Sequence, residues 1–239
     1  MGDRHPMAGM HLSMNVHRWF PMVVGLMAGV AVVGVDEPKS QVQLFNGKDL
    51  TGWVQRGGKA VYAVEHGEIV GRTVPNTPNS FLCTEATYGD FVLELEFKPM
   101  TGLNSGIQVR SLCYPMPTSI TLGGKTFNIP AGRVHGYQIE IDPGERAWTG
   151  GIYEEGRRGW LKDLKENESA RKAFIANDWN RLRIECRGAN LKTWLNGVPA
   201  AELEDGVTPE GFIGLQVHGV GNRTEPMEVR WRNLVLQPL

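Results

Sequence analysis

The chain has 239 residues, with 25 basic and 26 acidic side chains and a formal net charge of −1. That balance excludes the basic excess of a nucleic-acid binder and the acidic excess of a disordered tail. Apolar residues make up 41%, and 30 glycines exceed the roughly 7% share usual in globular chains, a composition suited to a packed core with many tight turns.

The first element is a targeting segment. Arg4 and Arg18 precede a charge-free run, Met22–Val35, which Asp36-Glu37-Pro38 ends. A basic flank, a short apolar stretch and a polar break describe a secretory signal. The run is short for a membrane span, so residues 1–35 read as a signal peptide or an uncleaved N-terminal anchor. No other span is expected, and the predicted location is periplasmic or extracellular.

From residue 41 onward an alternation of two dominates, the period of half-buried strands. Leu93, Leu95 and Phe97 share one face of a strand, as do Ile107 with Val109, Ile139 with Ile141, Leu182 with Ile184, and Leu215 with Val217. Leu93, Leu95, Phe97, Ile107, Val109, Ile139, Leu182, Ile184, Leu195 and Val217 are the predicted inter-sheet core. His66-Gly67 and Asn196-Gly197 are hairpin turn signals. Leu161–Ile175 is the one helical stretch, polar and on the surface. The pattern predicts an all-β fold, a two-sheet jelly-roll sandwich of the concanavalin-A-like type, as one domain over residues 41–238. Cys83, Cys113 and Cys186 have no metal or redox spacing. An exported setting allows a Cys83–Cys113 bridge.

The other parity of the strands carries long hydrogen-bonding side chains: Gln108, Arg110, Gln138, Glu140, Asp142, Gln216 and His218, with Lys192, Trp194 and Asn196 in a similar row. Amides and acids grip sugar hydroxyls, and an aromatic plate stacks on a sugar ring. A solvated outer sheet is the plainer alternative. Glu140 and Asp142 lie two apart on one strand, roughly 6.5–7 Å between Cα atoms. They suit acid–base chemistry on a glycoside, or a salt bridge with Arg110 or Arg146. With His218 they leave a divalent cation open. Asn104 enters a strand from a Gly-flanked loop, and Trp148 and Tyr153 sit in an aromatic segment able to cap a pocket. His135 is read as structural.

The ordered set FNGKDLTGW (45–53), YGDFVLELEFK (88–98), NSGIQVRS (104–111), GYQIEI (136–141), TGGIYEEGRRGWL (149–161), NDWNRLRIECRG (177–188), LKTWLNG (191–197) and GFIGLQVHG (211–219) resembles the 3-keto-disaccharide hydrolase domain family. The resemblance implies a concanavalin-A-like jelly roll and cleavage of small or oligosaccharide glycosides already oxidised at C3. It implies a sugar 3-oxidoreductase as functional partner. Proton abstraction at C2 and loss of the C1 substituent then need a base, a proton donor and a group that stabilises the enolate. Glu140, His218, Arg110 and Asp142 are the candidate catalytic residues. Asn104, Gln108, Gln138, Trp148, Tyr153, Trp194 and Gln216 are the candidate substrate contacts. A non-catalytic carbohydrate-binding module, an ordinary glycosidase using Glu140 and Asp142 directly, and a laminin-G-like interaction domain remain alternatives.

Overall fold

A computed structural model describes residues 40–239; the predicted segment 1–35 lies outside the described residues. The chain starts with β1 (Val42–Gln43), β2 (Trp53–Gly57), β3 (Val61–Glu65), β4 (Glu68–Arg72) and β5 (Ser80–Thr84). Two long strands follow, β6 (Phe91–Pro99) and β7 (Ser105–Cys113), then a small hairpin of β8 (Thr118–Leu122) and β9 (Lys125–Ile129). Next come β10 (Val134–Ile141), β11 (Ile152–Glu155), β12 (Gly159–Lys162) and helix α1 (Glu168–Lys172). The fold closes with β13 (Asn180–Arg187), β14 (Asn190–Leu195), β15 (Val198–Glu204), β16 (Phe212–Val217) and β17 (Glu228–Pro238).

The back sheet runs β15-β14-β13-β6-β17-β4-β3, with β1 added beside β17; the front sheet runs β12-β11-β10-β7-β16-β5-β2. All their pairings are antiparallel. Eight of the thirteen pairings in the two sheets join strands that are not consecutive in sequence, the mark of a jelly roll. The predicted core is the observed one: Leu93, Leu95, Phe97, Ile107, Val109, Ile139, Leu182, Ile184, Leu195 and Val217 are buried between the sheets with Trp231 and Phe91. Both predicted hairpin turns are present, with positive φ at His66, Gly67, Asn196 and Gly197, the geometry of a type I′ turn.

Two expectations change. The helical stretch shrinks to α1, five residues capped by the Asn167 side chain, because Gly159–Lys162 joins the front sheet as β12. Cys83, Cys113 and Cys186 are free thiols. Cys83 and Cys113 lie on β5 and β7, which β16 separates. Strands two apart are roughly 9.5 Å distant, beyond the Cα reach of a disulfide, about 7 Å.

Candidate functional site

The front sheet's outer face holds the polar residues. Along β10 the inward Tyr137 and Ile139 alternate with the outward Gln138 and Glu140. On β7, Gln108 pairs with Gln138; on β16, Gln216 sits in the row of Gly106 and Glu140. These strands form the floor of a cleft of about 380 Å³. Asn104, Gln138, Glu140 and Gln216 line it from below. Asn79, Arg133, Arg146, Tyr153, Glu155, Trp160 and His218 close it at the rim.

Glu140 is the most constrained group. Its Oε1 accepts from Asn104 Nδ2 at 2.7 Å and from Arg146 at 3.1 Å; its Oε2 accepts from Gln138 Nε2 at 2.9 Å. A carboxylate oxygen has two lone-pair directions. Oε1 is therefore filled, and Oε2 keeps one direction free. Burial pushes the Glu140 pKa above the ordinary carboxyl range, and the donors from Asn104, Gln138 and Arg146 act against it.

Arg146 holds the other side. It donates to Asp142 at 2.7 Å as well as to Glu140, and its guanidinium lies over the rings of Trp148 and Trp160 at 4.9 and 5.0 Å. Those two rings meet edge to face at 4.8 Å. At the far rim Glu155 pairs with Arg133. Burial is the main cause that raises the Glu155 pKa, opposed by Arg133 and His218. His218 is exposed, and its Nδ1 meets the Gly219 carbonyl at 2.8 Å. A carbonyl only accepts, so Nδ1 carries the hydrogen and Nε2 remains for proton transfer.

The structure brings together Asn104, Gln138, Glu140, Tyr153, Gln216 and His218 as expected from the sequence. Five other expectations need correction. Arg110 is turned away from the cleft. A bulge on β7 sets Arg110 and Ser111 against Gly136 and gives Arg110 a φ of 46°, so the alternation slips by one residue. Arg110 is buried and donates to the carbonyls of Gly89 and Gly188 and to Asp90. Ser111 takes the outward place instead and donates to Gln108 Oε1 at 2.8 Å. Gln108 itself is fully buried beneath Gln138 and does not line the cleft. Asp142 is spent on Arg146 and on the backbone N–H of Gly144. It shapes the loop rather than lining the cleft. Trp194 lies on β14 of the back sheet, under the Arg183 guanidinium. Trp148 does not line the cleft but packs against Trp160 and under the Arg146 guanidinium.

The sequence reading missed Arg133, Glu155, Trp160 and Asn79 as site residues and gave Arg146 only a salt bridge. For Glu155 the signal was ambiguous, because adjacent Glu154 and Glu155 must face opposite ways. The pairing of Glu155 with Gly136 and Glu154 with Tyr137 decides it. Among the described residues no group of three or more His, Cys, Asp or Glu side chains could hold a metal ion. Asp142 and Glu140 are bridged by a guanidinium, so this donor set does not fit a divalent cation.

The profile of the 3-keto-alpha-glucoside-1,2-lyase-like domain matches residues 40–237. The chain belongs to that family. It is thereby a carbohydrate-related jelly-roll protein. No curated protein matches it. Among solved structures it is similar to a carbohydrate-binding module, CBM66, of Bacillus subtilis, with a TM-score of 0.54 and 19% identity over 81% of this chain and 99% of that one. It is similar to a Bacillus subtilis protein of unknown function with a galectin-like fold, at 0.61 and 13% over 84% and 97%. A third is a candidate glycosyl hydrolase of Parabacteroides distasonis ATCC 8503, at 0.53 and 22% over 84% and 100%. These likenesses establish the fold.

Proposed function

We propose that this protein is an exported enzyme that cleaves 3-keto-glycosides by C2 proton abstraction followed by elimination at C1. The observation that carries this reading is Glu140: a buried carboxyl with three donors, one free lone pair and a guanidinium beside it, on the floor of a polar cleft. A ketone at C3 acidifies the C2 proton. Glu140 Oε2 takes that proton, and the electron pair moves onto the C3 oxygen as an enolate. Arg146 is the cation beside this site, in the role the sequence assigned to Arg110. The enolate collapses, the C1–O bond breaks, and a protonated His218 gives its Nε2 proton to the leaving oxygen. Water then adds across the resulting double bond: His218 takes a proton from the water, and Glu140 returns its own to C2. Both groups end as they began. Trp160 and Tyr153, which line the cleft, are its aromatic contacts for the sugar.

The test is turnover of 3-keto-glucosides against the matching unoxidised glycosides, with and without chelator. Activity is expected on the ketones alone, in chelator as well. Glu140→Gln should lower the rate roughly 10²–10⁴-fold, the usual loss for a general base. Equal rates on unoxidised glycosides would overturn the reading in favour of an ordinary glycosidase. The fold shared with a carbohydrate-binding module supports a second reading, sugar binding without turnover. Calorimetric binding of a 3-keto-glucoside with no product would select it. Among the described residues no helix is long and apolar enough to cross a membrane. Export rests on residues 1–35, and finding the full-length chain only in the cytosol would overturn it.

A further inference from the structure

Ser111 and Gln108 lie outside the cleft, yet both belong to one hydrogen-bonded chain that ends on Glu140. Ser111 Oγ has one hydrogen and three acceptors in reach, Gln108 Oε1 at 2.8 Å and the carbonyls of Tyr137 and Val109 at 3.1 and 3.2 Å, and it donates along the shortest contact, to Gln108. That contact leaves the Gln108 amide nitrogen to donate onward, to Gln138 Oε1 at 2.6 Å. Gln216 Nε2 donates to the same oxygen at 2.8 Å. With two donors on its carbonyl, Gln138 can only turn its nitrogen outward, where it meets Glu140 Oε2 at 2.9 Å. Ser111, Gln108 and Gln216 are fully buried, and Gln138 nearly so. The space is reserved for them: a Cβ on Gly106 would stand 2.6 Å from the Gln138 side chain, and one on Gly136 would stand 2.7 Å from Ser111 Oγ.

We infer that Ser111 and Gln108 are positioning residues that hold the Gln138 N–H on Glu140 and so keep Glu140 in its proton-accepting form. A Gln138 amide turned by 180° would set its NH2 against two amide donors. It would also set its carbonyl against Oε2, an arrangement compatible only with a protonated Glu140. The chain disfavours that arrangement, because Gln108 and Gln216 would both have to turn and Ser111 would have to give up its shortest contact for the longer one to the Tyr137 carbonyl. The other groups that face Glu140 are Asn104 and Arg146, with Asp142 behind Arg146 and Tyr153 across the cleft. None of them touches the amide chain's far end, so substitution at Gln108 or Ser111 reaches Glu140 only through Gln138. The catalytic consequence rests on the reading of Glu140 as the base; the effect on its ionisation does not.

The experiment is a carboxyl 13C NMR titration of the full chain labelled at glutamate, without substrate. The Glu140 resonance is assigned by its loss in Glu140→Gln. Gln108→Met keeps the volume and removes the donor. Ser111→Ala is a smaller change that frees Gln108 to turn, and it serves if the first variant does not fold. Both should move the Glu140 midpoint to higher pH, and the acid limb of the kcat profile on a 3-keto-glucoside should move with it. An unchanged midpoint in folded Gln108→Met or Ser111→Ala would overturn the inference, even if Glu140→Gln is inactive. A raised midpoint together with full turnover in Glu140→Gln would uphold the positioning and overturn the functional reading instead.

Discussion

His135 is buried with no hydrogen-bond partner on either ring nitrogen. Its ring packs against Tyr114 at 5.0 Å. Burial, helped by the charge of Arg157, lowers its pKa from 6.5 to about 4. The folded protein thus holds His135 neutral, while the unfolded chain protonates it at the ordinary value. Between those two pH values the unfolded state binds the extra proton, so this group costs stability as the pH falls from 6.5 towards 4. The unfolding free energy of His135→Leu, measured against the parent by urea titration, should therefore gain on the parent over that window and keep a constant difference above it. Glu140 and Glu155 act in the opposite sense. Their folded pKa values are raised, so their contribution is lost as the pH rises from the carboxyl range. Comparing variant with parent at each pH separates His135 from both.

Arg146 makes contacts that a lysine cannot copy. One planar guanidinium spans two carboxylates and stacks on two indoles, whereas an ammonium is a point charge. Arg146→Lys should lower kcat/KM for a 3-keto-glucoside by roughly 10²-fold, the scale for loss of one oxyanion contact. A steady-state rate within twofold of the parent would remove Arg146 from the mechanism.

At the scale of elements, the bulge on β7 decides which residues the cleft receives. Strand parity was legible for every core position named from the sequence, because an apolar residue every second place needs no knowledge of its neighbours. It failed after Val109. A bulge adds one residue to one strand, and only the partner reveals it: Gly136 stands opposite Arg110 and Ser111, and a Cβ at Gly211 would meet the Arg110 and Ser111 backbone at 2.4 Å. Trp194 failed for another reason, since parity says which face a residue takes but not which sheet carries it. The corrected place of Arg110 makes a different prediction. It clamps the back-sheet turn at Gly188 and the loop at Asp90 to the front sheet. Arg110→Met should destabilise by about 1–3 kcal/mol, the scale for leaving the Gly89 and Gly188 carbonyls without their donor, since Asp90 is exposed and keeps its hydration. It should leave kcat unchanged where the protein is still folded. Thermal denaturation and single-turnover rates on one preparation check both halves.

Over the whole molecule, one core joins the two sheets, and its members come from nearly every strand. Leu95→Ala, at the centre of β6, should cost about 2–5 kcal/mol, the range for emptying a packed site. An unchanged melting temperature would contradict the packing. The resemblance over residues 41–238 anticipated the fold and the family, because its motifs are spread along the chain and record both sheets. The cleft was only half legible: its floor repeats with the strands, whereas its rim joins the edge strands β11 and β12 to loops carrying Asn79, Arg133, Arg146 and His218, whose approach depends on the closed sandwich. Strand β17 carries a further consequence. It lies between β6 and β4 in the middle of the back sheet, although it is the last element of the fold. A nascent chain that has reached residue 227 has strands on both sides of a gap and nothing to fill it. The sandwich cannot close until the eleven residues of β17 have been made. Until then the polypeptide stays threadable, and its commitment to a native shape waits for this last strand.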